Sequence, residues 1–530
     1  MESRKMILNF PSPQSAPGLV LAFIGLLWFG AISLQADRYV VEPGTPGGTD
    51  TGEFNDWTIA ATQIQWAVDK AANDETVWVS NGVYLLTNQI SVTKGIVLRS
   101  TNGMDHTFVN GGGYLSGSIT NRCFYLGHSN AMLDGFTITN GNAGAQSGGG
   151  IYMTNGIVQN CLIAMNVSSN GGGGVYISSG GGTVRDCVIS NNNGSVYGGG
   201  IRTAAGLIQR CTIVTNRARL GGGMNISAST TDSCTVTGNV CTEISFGGGG
   251  GIYLGNSCLV QDCTIVNNLV PNGSFPGGGF YFVGANSIVQ DCTISGNRGP
   301  ANGGGAYFHP QATNCVLRTC TIASNTGVSG AGVLLESTNL STVERCIISY
   351  NIASGGGGGV GLLRAGGKVR NCLISSNSAS SGGGGAYFFS SGTGLLENCT
   401  VVSNSTASQG GGVFCTNNAG GNITNCIIYF NQAARGGDNY TNNTGILNLT
   451  YSCTTPLPEG NGNTANNPLF VNAGNANYRL RPDSPCINAG LNGSWMTNAF
   501  DRDGRARIRY GTVDMGTYEI IQDGTIYGFH

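Results

Sequence analysis

The chain has 530 residues, of which 89 are glycine, 14 are proline and 10% are charged, and its formal net charge is −2. This balance excludes a basic nucleic-acid-binding protein and a highly charged disordered tail, and the low proline content excludes a collagen-like repeat. Hydrophobic residues make up 40% of the chain, which is enough for a large core. The chain is therefore either of low complexity or a repeat protein, and the arrangement of its glycines decides between the two.

The N-terminus has the pattern of a secretory signal peptide, which we place at residues 1–36. Arg4 and Lys5 precede an apolar run over residues 18–32, and a small residue, Ala36, marks the cleavage edge. An uncleaved membrane anchor is the alternative, but the run is short for a bilayer span. No second run of spanning length follows, so we predict a secreted or cell-surface protein whose mature part has no transmembrane span.

Residues 37–104 are predicted to hold an N-terminal cap and the first strands. Residues 58–73 form one convincing amphipathic helix, which places Ile64 and Val68 on one face. A first strand is predicted just after the helix, over residues 76–80. The end of a stacked coil exposes an apolar cross-section and free strand edges, so we expect the helix to cover that end.

Residues 105–450 carry two alternating motifs. The first is a glycine corner followed by an apolar residue, as in GGGFY at 277–281 and GGGAY at 303–307. The second is a cysteine with alternating residues and an asparagine five positions on, as in NCLIAMN at 160–166. The motif recurs with a mean period of about 26 residues. The motif cysteines are Cys161, Cys187, Cys211, Cys234, Cys263, Cys292, Cys320, Cys346, Cys372, Cys399 and Cys426.

Each repeat is predicted to contain three short strands, because inward-facing and outward-facing residues alternate with period two. A repeat of about 26 residues that is interrupted by a glycine cluster leaves no room for a helix. Three strands per repeat and one repeat per turn predict an all-β fold, a right-handed parallel β-helix with turns about 4.8 Å apart. A β-propeller is excluded, since its blades need ~40–45 residues. Stacking aligns the cysteines in one ladder and the asparagines, from Asn140 through Asn166 to Asn431, in another, and we interpret both ladders as structural.

The cysteines are expected to be mostly reduced. In the ladder, in-register Cβ atoms stay about 4.8 Å apart, beyond the usual disulfide range, so buried thiols are predicted there. No CxxC or His-paired spacing indicates zinc. A disulfide among the remaining seven cysteines is compatible with the sequence, which does not assign a pair. They are Cys123, Cys241, Cys258, Cys315, Cys415, Cys453 and Cys486.

The repeats resemble those of right-handed β-helix proteins of the pectate-lyase-like superfamily, and the pairing of GGG-apolar with Ile-x-x-Asn is similar to polymorphic outer-membrane protein repeats. The ending contains NPLFVNAG, YRLRPDSPCINAG, DRDGRARI and GTVDMGTYE. It resembles the choice-of-anchor Q domain of bacterial surface proteins, which we assign to residues 451–530. The resemblance implies a surface or secreted location, and the β-helix repeat implies fold much more than function.

No catalytic residue and no metal site is predicted. The Asn-x-Asp, Asp-Asp and Gly-His-Gly motifs of polygalacturonase-like enzymes are absent from the sequence. The residue before each motif cysteine forms an outward polar column, in which Asp262 and Asp291 fall on adjacent turns, with Glu344 and Arg345 two turns further on. We interpret this column as a solvated edge, and the DRDG sequence at 501–504 as a tight turn. No cofactor is predicted, with Ca²⁺ at paired carboxylates as the alternative.

One outward column is aromatic. Tyr253, Tyr281 and Tyr307 fall on three consecutive turns, and a flat exposed stripe of this kind stacks on sugar rings. Stacking that only stabilises the sheet is the alternative. A column of threonines, from Thr212 to Thr321, faces outward elsewhere, and it suits either a regular polymer or simple strand formation.

We therefore predict a monomeric, secreted or cell-surface protein that binds an extracellular polysaccharide or cell-surface glycan without catalysis, with Tyr253, Tyr281 and Tyr307 as binding residues. The alternative is a pectate-lyase-like polysaccharide lyase or glycoside hydrolase with an atypical site. A flat face with the tyrosines exposed favours binding, whereas a groove with three or more acidic and basic groups favours the enzyme.

Overall fold

The described residues form one continuous coil and a C-terminal segment that packs along it. A computed structural model describes residues 36–113, 121–242, 247–271, 276–336, 340–364, 367–390 and 392–520. The predicted signal segment, apart from Ala36, lies outside the described residues. Each turn adds one parallel strand to each of three long sheets, and the architecture is a right-handed β-helix, which confirms the predicted fold class.

Within the described residues, sheet 1 has 16 strands, sheet 2 has 15 and sheet 3 has 14. Sheet 1 consists of Arg38–Val40, Thr76–Val79, Val97–Ser100, Met132–Asp134, Ile157–Gln159, Thr183–Arg185, Gly206–Gln209, Ser229–Asp232, Leu259–Gln261, Ile288–Gln290, Val316–Arg318, Thr342–Glu344, Lys368–Arg370, Gly392–Glu397, Ala419–Thr424 and Ile446–Thr450. Sheet 2 consists of Gly82–Leu85, Thr107–Asn110, Thr137–Thr139, Leu162–Ala164, Val188–Ser190, Thr212–Val214, Thr235–Thr237, Thr264–Val266, Thr293–Ser295, Thr321–Ala323, Ile347–Ser349, Leu373–Ser375, Thr400–Val402, Ile427–Tyr429 and Cys453–Thr454.

Sheet 3 consists of Ile90–Val92, Phe124–Leu126, Ile151–Met153, Val175–Ile177, Ile201–Thr203, Met224–Ile226, Ile252–Leu254, Phe280–Phe282, Ala306–Phe308, Val333–Leu335, Val360–Leu363, Ala386–Phe389, Val413–Cys415 and Tyr440–Asn442. Two-residue strands add a short fourth ladder between sheets 2 and 3 on some turns. They are Arg217–Ala218, Val240–Cys241, Thr326–Gly327, Ile352–Ala353, Ser378–Ala379, Ser405–Thr406 and Gln432–Ala433.

A helix covers the N-terminal end, but it is shorter than predicted. The α-helix spans Ile64–Lys70 and buries Ile64, Ala67 and Val68 in the core of the coil. A 3-10 turn, Trp57–Ile59, precedes it, and the backbone is extended at Ala60, Gln63 and Ala71, so residues 58–63 and 71–73 lie outside the helix.

The coil also begins earlier than its first predicted strand. Arg38–Val40, which precedes the helix, pairs in parallel with Thr76–Val79 as the outermost strand of sheet 1. The helix is therefore an insertion between two neighbouring strands of one sheet, and the sheet edge lies at Arg38–Val40.

The asparagine ladder is buried and continuous. In Asn297, which has no exposed surface, Oδ1 accepts hydrogen bonds from N and Nδ2 of Asn268, and Nδ2 donates to Ile265 O and Asn325 Oδ1. Each ladder side chain thus satisfies backbone groups that the turn would otherwise leave without a partner.

Asn140 is not a member of this ladder, contrary to expectation. Gly141 takes the ladder position, where its N–H donates to Asn166 Oδ1 at 2.8 Å, while Asn140 takes the left-handed position before it. Along the whole ladder, the left-handed residue is the one before the asparagine, as at Met165, and the asparagine itself points inward.

A second left-handed residue turns the chain from sheet 1 to sheet 2 on each turn. These residues have φ between 48° and 56°, in the region that asparagine, aspartate and glycine tolerate best. We call them the corner column: Asn160, Asp186, Arg210, Ser233, Asp262, Asp291, Thr319, Arg345, Asn371, Asn398 and Asn425.

All eighteen cysteines are buried free thiols. In the ladder, each thiol packs in the core and donates to a carbonyl two residues earlier, as from Cys292 Sγ to Gln290 O at 3.1 Å. These sulfurs act as small apolar groups that fill the corner between sheets 1 and 2.

After Cys453–Thr454 the chain turns back and runs along the outside of the coil. We call residues 467–520 the clasp. It contains an antiparallel pair, Phe470–Asn472 with Asn477–Leu480, and two 3-10 turns, Ala473–Asn475 and Ser494–Met496. None of the helices in the described part of the chain has the length and apolar character needed to cross a membrane.

Candidate functional site

The clasp packs where the outer face of sheet 2 becomes apolar. One outward register column of this sheet holds threonine on successive strands up to Thr321 and then continues as Ile347 and Leu373. From Ile347 onward, this face packs against an apolar cluster of the clasp that includes Phe470 and Tyr478. The sequence marks this docking surface by the change from threonine to isoleucine and leucine along the column.

The corner column fastens the clasp with hydrogen bonds. The side chain of Asn425 makes two hydrogen bonds with the backbone of Leu491. Asn425 Nδ2 donates to Leu491 O at 2.9 Å, and Leu491 N–H donates to Asn425 Oδ1 at 2.7 Å. Asn371 Nδ2 donates to Phe500 O, and Arg345 Nε donates to Asp501 O at 3.0 Å. The column was expected to be a solvated edge throughout, and this is wrong for its last members, because the clasp covers them.

A buried arginine organises the interior of the clasp. Arg507 has no exposed surface, donates from Nη2 to the carbonyls of Asp514 and Gly516, and pairs with Glu519 at 3.2 Å. Burial raises the pKa of Glu519 to about 8 even though Arg507 acts to lower it. The DRDG turn belongs to the same network, since Asp501 accepts from the N–H groups of Arg505 and Glu519.

A cleft of about 660 Å³ lies between the coil and the clasp. The coil contributes ionic side chains from four successive turns, and the clasp contributes two aromatic side chains. The walls of the cleft include Asp291, Arg318, Glu344, Arg345, Arg370, Asn371, Trp495 and Phe500.

The charges in the cleft are closely interleaved. Arg318, Glu344 and Arg370 occupy the same outward register position on three neighbouring strands of sheet 1, about 4.8 Å apart. The Arg370 guanidinium lies 4.4 Å from the Trp495 ring centroid, and that of Arg345 lies 5.9 Å from the Phe500 ring centroid. Each aromatic ring of the clasp thus lies against a guanidinium group of the coil.

One polar atom on each side of the cleft is buried without a hydrogen-bond partner. They are Oδ1 of Asn371, an acceptor, and Nε1 of Trp495, a donor. A buried unsatisfied group costs about 1–3 kcal/mol, so both atoms are places where this part of the molecule gives up stability.

Upstream of the clasp, the corner column and the threonine column are open. Thr264 and Thr293 are exposed, and so are Asp262 and Asp291 beside them. Partial desolvation and the negative charges of Asp291 and Asp232 raise the pKa of Asp262, as expected for carboxylates on adjacent turns. Among the described residues no group of three or more His, Cys, Asp or Glu side chains is arranged to hold a metal ion.

The predicted aromatic stripe exists in register but is not a flat exposed surface. Tyr253, Tyr281 and Tyr307 pair on consecutive strands of sheet 3, with ring centroids 5.2 Å apart at each step. Tyr281 and Tyr307 are only 6% and 5% exposed. The expectation of exposure is wrong for these two, because each ring is covered by its neighbours in the stack and by the adjoining loops.

The loop contact is clearest at Gly248, where an added Cβ would lie 2.6 Å from Cδ2 of Tyr281. The hydroxyl of Tyr307 is also engaged, since it donates to Glu336 Oε2 at 2.5 Å. A role of these tyrosines in binding stays a prediction, and Tyr253 is the one of the three that is partly exposed.

Trp495, Phe500, Arg318 and Arg370 were not singled out from the sequence. The arginines follow no motif, and the aromatic residues lie far along the chain from the turns that they face. The change from threonine to isoleucine after Thr321 was the available signal, since it locates the edge of the clasp and hence the cleft.

The chain belongs to the family described as right-handed β-helix region, whose model matches residues 76–273 and 242–379, more than half of the chain. A search of curated proteins gives no match. Two similar solved structures are pectate lyase Pel9A and PfbA, a surface adhesin of Streptococcus pneumoniae.

Both structures are 11% identical to this chain. The first match covers 91% of this chain and 97% of the lyase, with a TM-score of 0.28. The second covers 74% of this chain and 88% of the adhesin, with a TM-score of 0.29. At this similarity neither structure decides between binding and catalysis.

Proposed function

We propose that this is a secreted or cell-surface protein that binds a glycan in the cleft between the coil and the clasp. The observation that supports this most is the composition of the cleft, which joins two aromatic side chains to carboxylates and guanidinium groups. Aromatic rings pack on the apolar faces of sugars, and planar charged groups hydrogen-bond to their hydroxyls. The adjoining threonine column offers a regular track along which a polymer would continue.

The location and the attachment are part of this proposal. The basic and apolar N-terminus supports export, and the resemblance of the ending to a choice-of-anchor Q domain supports a surface role. The clasp, which contains most of that ending, packs along the protein's own coil, so we propose that attachment uses a surface other than the docked side of the clasp.

The test measures retention on immobilised polysaccharides, both neutral (cellulose, xylan) and acidic (polygalacturonate, alginate). Native protein is expected to be retained on at least one of them, and Trp495→Ala and Arg345→Ala to lose at least ~10-fold in affinity, about 1.4 kcal/mol. Arg210→Ala is the matched control for Arg345, because both arginines occupy left-handed positions of the corner column. Trp57→Ala, at the opposite end of the coil, is the control for Trp495.

Circular dichroism spectra of all four variants establish that they remain folded. The proposal is wrong if native protein is retained on none of the polysaccharides, or if the cleft variants bind as tightly as the two controls.

A second candidate function, polysaccharide cleavage, is favoured by the ionic groups of the same cleft. More than three acidic and basic groups converge there, the arrangement expected of an enzyme. Asp291 and Glu344 lie two turns apart along the coil and both line the cleft, so they are the two carboxylates available for such a reaction. New reducing ends or unsaturated products that Glu344→Gln abolishes while binding persists would support cleavage, and intact polymer after incubation would support binding alone.

A further inference from the structure

Two cysteines outside the ladder meet at the junction of the coil and the clasp. Cys453 lies on the last strand of sheet 2, in outward register with Ile427. Cys486 lies in the clasp, and both residues have no exposed surface and belong to one apolar cluster. The two thiols therefore approach each other from opposite sides of the docking interface.

This arrangement differs from that of the ladder. Neighbouring ladder cysteines sit in register on parallel strands, so their Cα–Cβ bonds point the same way and their Cβ atoms stay about 4.8 Å apart. Cys453 points out from the sheet, and Cys486 belongs to the segment packed upon that face, so their Cβ atoms can converge. The neighbouring Cys486 thiol, together with burial, raises the pKa of Cys453, which fits two sulfurs in contact.

The surroundings hold both residues in place. Cys453 Sγ lies 3.1 Å from Asn466 O, and its backbone N–H donates to Cys426 O. On the clasp side, Met515 N–H donates to Cys486 O at 2.9 Å. The backbone at each cysteine is therefore anchored independently of the sulfurs.

We propose that Cys453 and Cys486 form a disulfide that locks the clasp onto the last turn of the coil. In this step both S–H bonds break and one S–S bond forms. Two electrons and two protons pass to an oxidised dithiol, such as glutathione disulfide or a protein disulfide, which is reduced to two thiols. Since both sulfurs are buried once the clasp has docked, oxidation accompanies docking during folding.

The first experiment maps the cysteines of the full chain. Reduced, denatured protein is refolded with a mixture of oxidised and reduced glutathione, denatured again, alkylated with iodoacetamide and digested for mass spectrometry. We expect the peptides of Cys453 and Cys486 to be linked and all other cysteines to be alkylated. Alkylation of both residues, or linkage of either to another cysteine, overturns the proposal.

The second experiment measures the lock. Cleavage of the clasp by protease is expected to be at least ~10-fold slower in oxidised native protein than after reduction by dithiothreitol. Cys453→Ala and Cys486→Ala should abolish this dependence, whereas Cys258→Ala, a buried cysteine inside the coil, should keep it. Equal cleavage of oxidised and reduced native protein overturns the proposal that the disulfide holds the clasp in place. The peptide map shows whether Cys453 and Cys486 are linked even if a variant fails to fold.

Discussion

Removal of one asparagine side chain from the ladder should destabilise the coil strongly. In Asn297→Ala, the hydrogen bonds to Asn268 N and Nδ2, Ile265 O and Asn325 Oδ1 are all lost. Asn268 Nδ2 keeps a second acceptor, Val236 O, and Asn325 Oδ1 still accepts from Asn297 N. Ile265 O keeps the ladder hydrogen bond from the neighbouring strand, but the buried Asn268 N–H is left without an acceptor. At about 1–3 kcal/mol for an unsatisfied buried group, the expected loss is about 1–3 kcal/mol.

The assay is urea denaturation followed by circular dichroism, with hydrogen exchange to locate the opened turns. Thr293→Ala is the matched control, because Thr293 lies on the same turn and is exposed, so its loss should stay within about 0.5 kcal/mol. Exchange should rise on the turns next to Asn297 before it rises elsewhere, since a stacked coil is held by contacts between neighbours. A loss no larger than that of the control would refute the reasoning.

Three further predictions concern the clasp and the aromatic stack. Leu373→Asp places a charge in the docking interface and should release the clasp, seen as faster proteolysis than in the control Thr293→Asp. Because burial raises the pKa of Glu519 to about 8, its contribution to stability is complete below about pH 4.5 and is lost as pH rises through about 8. In Glu519→Gln, denaturation measured across this range should show a weaker pH dependence. Tyr281→Ala should cost about 3–5 kcal/mol in denaturant melts, and Tyr281→Phe much less, since the buried ring supplies most of the contact.

The fold was predictable because every turn repeats the same local chemistry. Each turn of the coil is specified by a glycine at one corner, a cysteine and an inward asparagine at the other corners, and alternating residues in the strands between them. The same specification recurs on every turn. The error at Asn140 has a local cause. In GFTITN, Phe136 takes the inward place of the cysteine, so the ladder position five residues on is Gly141.

The site was less predictable because it depends on contacts that no local pattern encodes. Alternation correctly placed Tyr281 on the outer side of its strand, but loops from neighbouring turns cover it there. The partly exposed Arg345 and the buried Asn371 share the corner column with the exposed Asp291, and the clasp accounts for the difference. Periodicity gives the side of a strand on which a residue lies, whereas exposure depends on what packs on that side.

The glycan binding that we propose would be coupled to the docking of the clasp through the two walls of the cleft. Trp495 and Phe500 reach the cleft only when the clasp is docked, and the arginines and carboxylates stay on the coil whether it is docked or not. A ligand that contacts both walls binds the docked form more tightly, so it stabilises docking by mass action, and docking strengthens binding by the same factor. A covalent link at Cys453 and Cys486 would hold the docked form in advance, so less of the ligand's binding energy would be needed to close the site.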